Sequence, residues 1–214
     1  MQSLFEVGLF TGAVWLSGMI GTSAQAANQI ALSMASKTFM FASGLGVAAM
    51  IRVGNQKGFQ DYKKLRVVAL SIVLMTILLY TFFALFFVIF HNYIPLFFLD
   101  AEDAKNALLN QEVIELAGKL LMIAAIFQIS DGIQVTVLGA LRGLQDVNIP
   151  TIITFISYWL IGFPVAIYLG LYTEMGAEGI WYGLLAGLTA AAIFSYLRLN
   201  YMTKKLIHSQ QAKA

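Results

Sequence analysis

Long apolar runs separated by short polar stretches make up most of this 214-residue chain. Six runs, over residues 3–20, 26–51, 65–90, 113–141, 149–171 and 176–199, approach or exceed the ~20 residues that a helix needs to cross a bilayer. Each run is longer than the ~10 residues of a membrane strand, and only a helix satisfies its own backbone polar groups in lipid. The pattern predicts an all-α polytopic membrane bundle of six transmembrane helices over residues 1–205, followed by a cytoplasmic tail over 206–214.

The composition excludes most soluble classes of protein. Hydrophobic residues make up 59% of the chain and charged residues 11%, against about 25% charged in a soluble domain. Without cysteine the chain has no disulfide, thiolate nucleophile or zinc–thiolate site, and both histidines, His91 and His208, lie at the edges of apolar runs. No catalytic or nucleotide-binding motif is present. We therefore expect an integral membrane protein that is not an enzyme, carries no cofactor and binds no nucleic acid.

Charged residues between the runs predict the orientation in the membrane. Basic residues follow the second, fourth and sixth runs: Arg52, Lys57, Lys63, Lys64, Arg66, Arg142, Arg198, Lys204, Lys205 and Lys213. Acidic residues dominate the loop after the third run, where Asp100, Glu102, Asp103 and Glu112 stand against Lys105. Since basic loops stay in the cytoplasm, six spans place both termini there, most simply in a bacterial inner membrane. The loop from His91 to Gln111 begins with the apolar stretch YIPLFFL, which predicts a short helix at the membrane surface.

Small residues at a spacing of four predict where helices approach each other closely. Gly179, Gly183 and Gly187 form such a ladder in the sixth run, and Gly8 with Gly12 forms another in the first. In the fifth run, Pro164 lacks the N–H of a regular helix and is expected to bend it.

Ionisable and polar residues inside the runs are the candidates for function. Asp131 lies within the fourth run, where an ionised side chain costs ~3 kcal/mol or more on insertion scales. Gln128, Asp131 and Gln134 recur every three residues and form one polar face. Glu6 and Lys37 lie in the first and second runs. Two acids and a lysine from three helices offset each other only if they converge on an interior cavity, where a carboxylate exchanges protons or sodium ions.

A packing role is the alternative for each of these residues. Asp131 and Glu6 then form interhelical bonds that only hold the bundle together, and Lys37 either extends to the interface or compensates Asp131. Gln128 and Gln134 are expected to support the site rather than to bind a ligand directly.

Four stretches resemble the multidrug and toxic compound extrusion (MATE) transporters. They are SAQAANQIALS (Ser23 to Ser33), GLGVAAMIRVGNQKG (Gly44 to Gly58), DGIQVTVLGALRGLQDVNIP (Asp131 to Pro150) and GAEGIWYGLLAG (Gly176 to Gly187). The resemblance covers nearly the whole chain and preserves the order of the motifs. Family members have twelve transmembrane helices in two six-helix lobes around a central cavity, and this chain resembles the second lobe alone. It is thus expected to be a fragment or truncated frame whose partner is the missing N-terminal lobe, with membrane lipid around both.

The resemblance also implies a function and a site. MATE proteins export organic cations, drugs or metabolites in exchange for Na⁺ or H⁺. The acidic residues of the family's seventh and tenth helices correspond to Glu6 and Asp131, which implies a cation-coupling site, possible Na⁺ binding included, at these two residues. Phe127 occupies a position where some relatives have an aromatic residue near the cation, and a Phe ring there offers a modest cation–π contact. Lys37, Gln128 and Gln134 are expected to tune the site, and Lys37 has no counterpart in a general family motif.

Three other functions stay open at this point. A lipid-linked oligosaccharide flippase of the wider superfamily needs a strongly cationic cavity, whereas Lys37 is the one clearly intramembrane base in the sequence. A non-transporting half-size protein or assembly subunit, which could form a homodimer about an axis normal to the membrane, is the second. An intramembrane enzyme is the third, and the absence of catalytic motifs disfavours it.

Overall fold

The computed structural model describes residues 2–99 and 107–212, and throughout these ranges the chain is helical with short turns. The order of elements is α1 (Gln2–Ile20), α2 (Thr22–Gly58), α3 (Tyr62–Phe90), a 3₁₀-helix (Ile94–Phe97), α4 (Ala107–Gly143), α5 (Asn148–Phe155), a π-helix (Ile156–Gly162), α6 (Phe163–Leu171) and α7 (Ala177–Gln211). The described ranges contain no strand, so the prediction of an all-α bundle is confirmed.

Helices of membrane-spanning length account for five of the six predicted runs. They cover residues 22–58, 62–90, 108–143, 148–171 and 177–211, while the apolar part of α1, residues 4–20, is shorter. Together they make an integral membrane bundle. The acidic loop residues Asp100, Glu102 and Asp103, the basic Lys105 among them, and Lys213 of the tail lie outside the described residues.

Several helices extend beyond their predicted apolar runs. The second reaches Gly58 rather than residue 51, the fourth covers 107–143 rather than 113–141, and the last continues to Gln211 rather than 199. Apolarity marks the part of a helix that crosses lipid, whereas hydrogen bonding continues into polar sequence until a turn residue stops it. The predicted division at residue 205 therefore falls inside α7, and Leu206 packs against the bundle core.

Glycines bring α2 and α4 into backbone contact along the middle of the bundle. A Cβ atom added to Gly139 would collide with the carbonyl oxygen of Gly46, and one added to Gly143 would lie 2.5 Å from the carbonyl oxygen of Met50. Close backbone approach of this kind replaces the hydrophobic effect as the source of helix association in lipid. It also holds the cavity-facing side of α4 against α2.

Both predicted glycine ladders lie at helix contacts. Gly183 of α7 packs against Ala166, and a Cβ at Gly187 would stand 2.9 Å from the Cα of Gly162. On α1, a Cβ at Gly8 would stand 3.0 Å from the Trp159 ring, and one at Gly12 would stand 2.6 Å from Phe163. The ladders therefore have the packing role that the spacing predicts.

The predicted disturbance near Pro164 takes the form of a π-helix. Residues Ile156–Gly162 are π-helical, and Pro164 is the second residue of α6 directly after them. A proline cannot donate a hydrogen bond back into the preceding turn, and π-helical turns are a known local adjustment in such segments. The surface helix predicted for the loop from His91 to Gln111 is, in the described part, a four-residue 3₁₀-helix, Ile94–Phe97.

Candidate functional site

A cavity of about 930 Å³ opens between α1, α2 and α4. Its walls are mostly apolar and aromatic, with Phe10, Phe39, Met40, Met50 and Phe127 among the larger side chains. Four charged residues also line it: Glu6, Lys37, Asp131 and Arg142. An apolar cavity with a few polar groups is the usual form of a small-molecule site.

Asp131 supplies the most deeply buried carboxylate of this cavity. It lies on α4, is 4% exposed, and its Oδ1 has no hydrogen-bond partner in the described part of the chain. An ionised oxygen buried without a partner is costly unless a proton, a cation or a donor group reaches it. The cavity beside it provides the space for such a ligand.

Glu6 faces the same cavity from α1. Its half-buried carboxylate makes no hydrogen bond or ion pair with any other residue in ranges 2–99 and 107–212. It is close enough to Asp131 for the two charges to interact. Two neighbouring carboxylates repel each other, and a cation between them removes that repulsion. The structure thus brings together the two acidic residues expected to form the site.

Lys37 lines the cavity, but its amine contacts groups other than the two carboxylates. The side chain is exposed, with Nζ 3.8 Å from Sδ of Met34 and 5.3 Å from the ring centroid of Phe98. Phe98 lies in the loop that precedes α4, so Lys37 is directed towards that end of the bundle. Direct compensation of Asp131 by Lys37, one of the expected packing roles, is absent from this arrangement.

The remaining predicted residues surround Asp131 on α4. Phe127 lines the cavity, with its ring centroid 5.9 Å from that of Phe10 and 5.4 Å from that of Trp181. Gln134 accepts a 2.7 Å hydrogen bond from the hydroxyl of Tyr158. Gln128 is buried, and both polar atoms of its amide have no partner among the described residues. Gln128 and Gln134 lie outside the cavity wall, beside rather than on the binding surface.

Arg142 also lines the cavity, although its position in the sequence predicted only a basic residue in a cytoplasmic loop. Its guanidinium donates to Oε1 of Gln2 from Nη2 at 2.7 Å and from Nε at 3.2 Å. Positions 131, 135, 138 and 142 all line the cavity, as expected for one face of a helix at a spacing of three or four. That spacing from Asp131 was the signal in the sequence.

Two further buried hydrogen bonds were not predicted from the sequence. The indole Nε1 of Trp181 donates to Oδ1 of Asn28 at 2.9 Å, and the hydroxyl of Tyr80 donates to the carbonyl oxygen of Thr38 at 2.6 Å. Both bonds join α2 to another helix. Asn28 was recognisable as a polar residue inside an apolar run, whereas the partner of Tyr80 is a backbone atom that no side-chain pattern reveals.

The groups that line this cavity are of the kind that bind cations. Two carboxylates from different helices share an aromatic cavity, and within residues 2–99 and 107–212 no three His, Cys, Asp or Glu side chains gather into a larger metal-binding group. Hard cations and protons bind to carboxylate oxygens, and organic cations also gain from aromatic faces such as Phe127 and Phe10.

Comparison with known proteins supports a single family. The family model described as MatE matches residues 1–168. The chain is 38% identical over 205 residues to the multidrug resistance protein MdtK of Proteus mirabilis, covering 94% of this chain and 43% of that protein. It is 36% identical over 202 residues to the multidrug resistance protein NorM of Photobacterium profundum, covering 92% of this chain and 42% of that protein. The chain thus spans less than half the length of these relatives.

Solved structures share the fold at low sequence identity. A crystal structure of MATE in complex with MaD3S gives a TM-score of 0.83 at 16% identity, covering 97% of this chain and 44% of that one. The crystal structure of the eukaryotic MATE transporter AtDTX14 gives a TM-score of 0.78 at 21% identity, covering 92% of this chain and 44% of that one. These relatives are transporters rather than enzymes. Since the family model matches more than half of this chain, the chain belongs to the MatE family.

Proposed function

We propose that this chain forms the C-terminal half of a secondary active antiporter that exports organic cations or drugs in exchange for Na⁺ or H⁺. The observation that carries the proposal is the pair of carboxylates, Asp131 and Glu6, that face one aromatic cavity without an ion-pair partner among residues 2–99 and 107–212. Its relatives named multidrug resistance proteins support the substrate class.

The exchange follows from competition for the same two carboxylates. An organic cation and the coupling ion each neutralise Asp131 and Glu6, so that binding of one favours release of the other. Net export requires that the cavity opens to one side of the membrane at a time, as in other carriers built from two repeats. A second lobe facing α1, α2 and α4 would complete the cavity, consistent with the share of its relatives that the chain covers.

The residues around the carboxylates have supporting roles in this proposal. Phe127 presents its ring to the bound cation, and Gln128 offers an unpaired buried amide beside Asp131. Gln134 holds α4 to the π-helix through Tyr158. Lys37 adds positive charge to the part of the cavity wall that it lines, and it disfavours cations there. Exposed basic residues such as Arg52, Lys63 and Lys204 support a cytoplasmic location of both termini, in a bacterial inner membrane.

The test is ethidium efflux from drug-sensitive cells that express the complete transporter containing this chain, with Na⁺ and pH varied independently. Efflux along either gradient that is lost in Asp131→Asn supports an ion-coupled exporter and identifies its ion. Asp61→Asn is the matched control, because Asp61 only caps α3 by accepting from the Lys64 backbone N–H, and asparagine also caps helices well. Normal efflux by a well-inserted Asp131→Asn variant would contradict the assignment.

A flippase for lipid-linked oligosaccharides finds less support. Such a protein needs a strongly cationic cavity for a pyrophosphate, whereas the described cavity wall has two cations, Lys37 and Arg142, against two carboxylates. A non-transporting half-size protein or assembly subunit is the remaining alternative. Absence of efflux from the complete, well-inserted protein would favour that alternative.

A further inference from the structure

The cavity contains a permanent cation that the proposed exchange does not use. Arg142 lies where α4 ends and α1 begins, and a neutral amide, that of Gln2, holds its guanidinium with two hydrogen bonds of 2.7 and 3.2 Å. Gln2, Glu6 and Arg142 all line the cavity. A charged donor is thus bound to an uncharged acceptor although an unpaired carboxylate, Glu6, is nearby.

Helix geometry brings Glu6 within reach of this guanidinium. Gln2 and Glu6 are four residues apart on α1, so that their side chains lie one above the other on the same face. Glu6 and Arg142 line the same cavity and have opposite charges when both are ionised. The Arg142 side chain is exposed, and a guanidinium has five N–H donors on a flexible stem. A change of side-chain rotamer would then exchange the Gln2 amide for the Glu6 carboxylate.

We propose that Arg142 is a resident counter-ion for Glu6 that competes with the coupling ion. The inference rests on the antiport proposed above. With the guanidinium on Gln2, as the structure shows it, Glu6 is free to take Na⁺ or a proton. When that ion leaves, the guanidinium moves to Glu6 and neutralises it, which favours ion release. Arg142 is thus a positioning residue that sets how tightly Glu6 holds the ion.

None of the other charged or titratable groups described near Glu6 is a cation placed to neutralise it. From α4, Asp131 adds negative charge, and from the π-helix the Tyr158 hydroxyl is neutral and already donates to Gln134. From α2, Lys37 is directed towards Phe98. Within the described residues, Arg142 is therefore the cation placed to neutralise Glu6.

The test uses two variants whose expected effects have opposite signs. Arg142→Gln removes the competitor of the coupling ion. The Na⁺ or proton concentration at which the ion site is half-occupied therefore falls by about fivefold, which is the factor that an exposed ion pair contributes at most. Gln2→Ala removes the alternative acceptor and leaves the guanidinium to Glu6, so the same midpoint rises by a similar factor. Arg142→Lys keeps the charge and should stay near the wild-type midpoint.

Two readouts are measured on the complete transporter. The first is ion-driven efflux in proteoliposomes, and the second is the midpoint of Na⁺ and pH titrations of the purified protein, followed by intrinsic tryptophan fluorescence. Arg52→Gln is the control, because Arg52 is an exposed residue near the end of α2 that lies outside the cavity wall. Its midpoints should match the wild type.

The outcomes separate the two proposals. Opposite shifts in Arg142→Gln and Gln2→Ala support the counter-ion role. Shifts of the same sign, or none, overturn it, since a bond that merely joins α1 to α4 is lost equally in both variants. If the wild type transports along neither gradient but the titration midpoints still move in opposite directions, the antiport proposal fails and the counter-ion role stands.

Discussion

At the scale of single residues, the contact between Tyr158 and Gln134 determines how α4 is held beside the cavity. Both residues are buried, and the 2.7 Å hydrogen bond between them is the side-chain link from the π-helix to the α4 face that includes Asp131. Each partner is a large polar group in a non-aqueous environment, so the bond stabilises mainly by avoiding an unpaired group.

The Tyr158→Phe variant should therefore lose stability. Removing the hydroxyl leaves the carbonyl oxygen of Gln134 without its donor, at a cost of about 1 kcal/mol. The apparent melting temperature of the purified complete transporter measures this loss. Tyr168→Phe is the control, because Tyr168 is 63% exposed on α6. Equal melting temperatures for the two variants would show that the Tyr158 hydroxyl contributes nothing.

The same contact shows what the sequence reveals about single residues. Asp131, Glu6 and Lys37 were recognisable because a charged residue inside an apolar run stands out against its neighbours. Tyr158 does not stand out, since a tyrosine is common in apolar segments and its hydroxyl finds a partner only after two helices pack. Arg142 was overlooked for a different reason: it lies at the edge of a run, where a basic residue is expected anyway.

At the scale of elements, glycines decide which helices form the bundle core. Gly139 of α4 lies so close to α2 that an added Cβ atom would collide with the backbone of Gly46, whereas Gly44, on α2 itself, has open space around it. The same substitution is thus expected to have opposite effects at these two positions.

Gly139→Ala should destabilise the bundle, while Gly44→Ala should be neutral or stabilising. The backbone that meets a new Cβ at position 139 cannot yield without separating α2 from α4, which costs about 1–3 kcal/mol. At position 44 alanine only improves helix propensity, by up to about 1 kcal/mol. Thermal unfolding of the two variants of the complete transporter provides the comparison. Equal effects of the two substitutions would exclude close α2–α4 packing as a source of stability.

Element boundaries were less predictable than element number. Apolar runs correctly indicated the helices because lipid demands a minimum apolar length. They did not indicate where two of the helices end. Helix α2 continues for seven residues past the predicted end at 51, to Gly58, and α7 continues for twelve residues past 199, to Gln211. These last turns consist largely of polar residues, which an apolar run does not include. The π-helix was likewise not predicted: Pro164 indicated a disturbance but not its form, and Gly162 at the end of the π-helix packs closely against Gly187.

At the scale of the whole molecule, the bundle is asymmetric. Asp131, Glu6, Lys37 and Arg142 gather on the face formed by α1, α2 and α4, whereas α3 presents large apolar side chains such as Leu74, Leu78 and Phe82. An exposed apolar side and a cavity-bearing side with charged groups are thus both present in this bundle. In the proposed transporter the second side faces the other lobe.

The absence of cysteine from this chain makes that asymmetry measurable. Ser43→Cys places a thiol on the cavity wall, and Leu74→Cys places one on the exposed apolar surface of α3. In membranes, a charged, water-soluble thiol reagent should modify position 43 and leave position 74 unmodified, because the reagent enters an aqueous cavity but not lipid. An exported cation such as ethidium should slow the reaction at position 43 by occupying the same space. Modification of both positions at equal rates would contradict a cavity-bearing face, and unchanged labelling at saturating ethidium would place the substrate elsewhere.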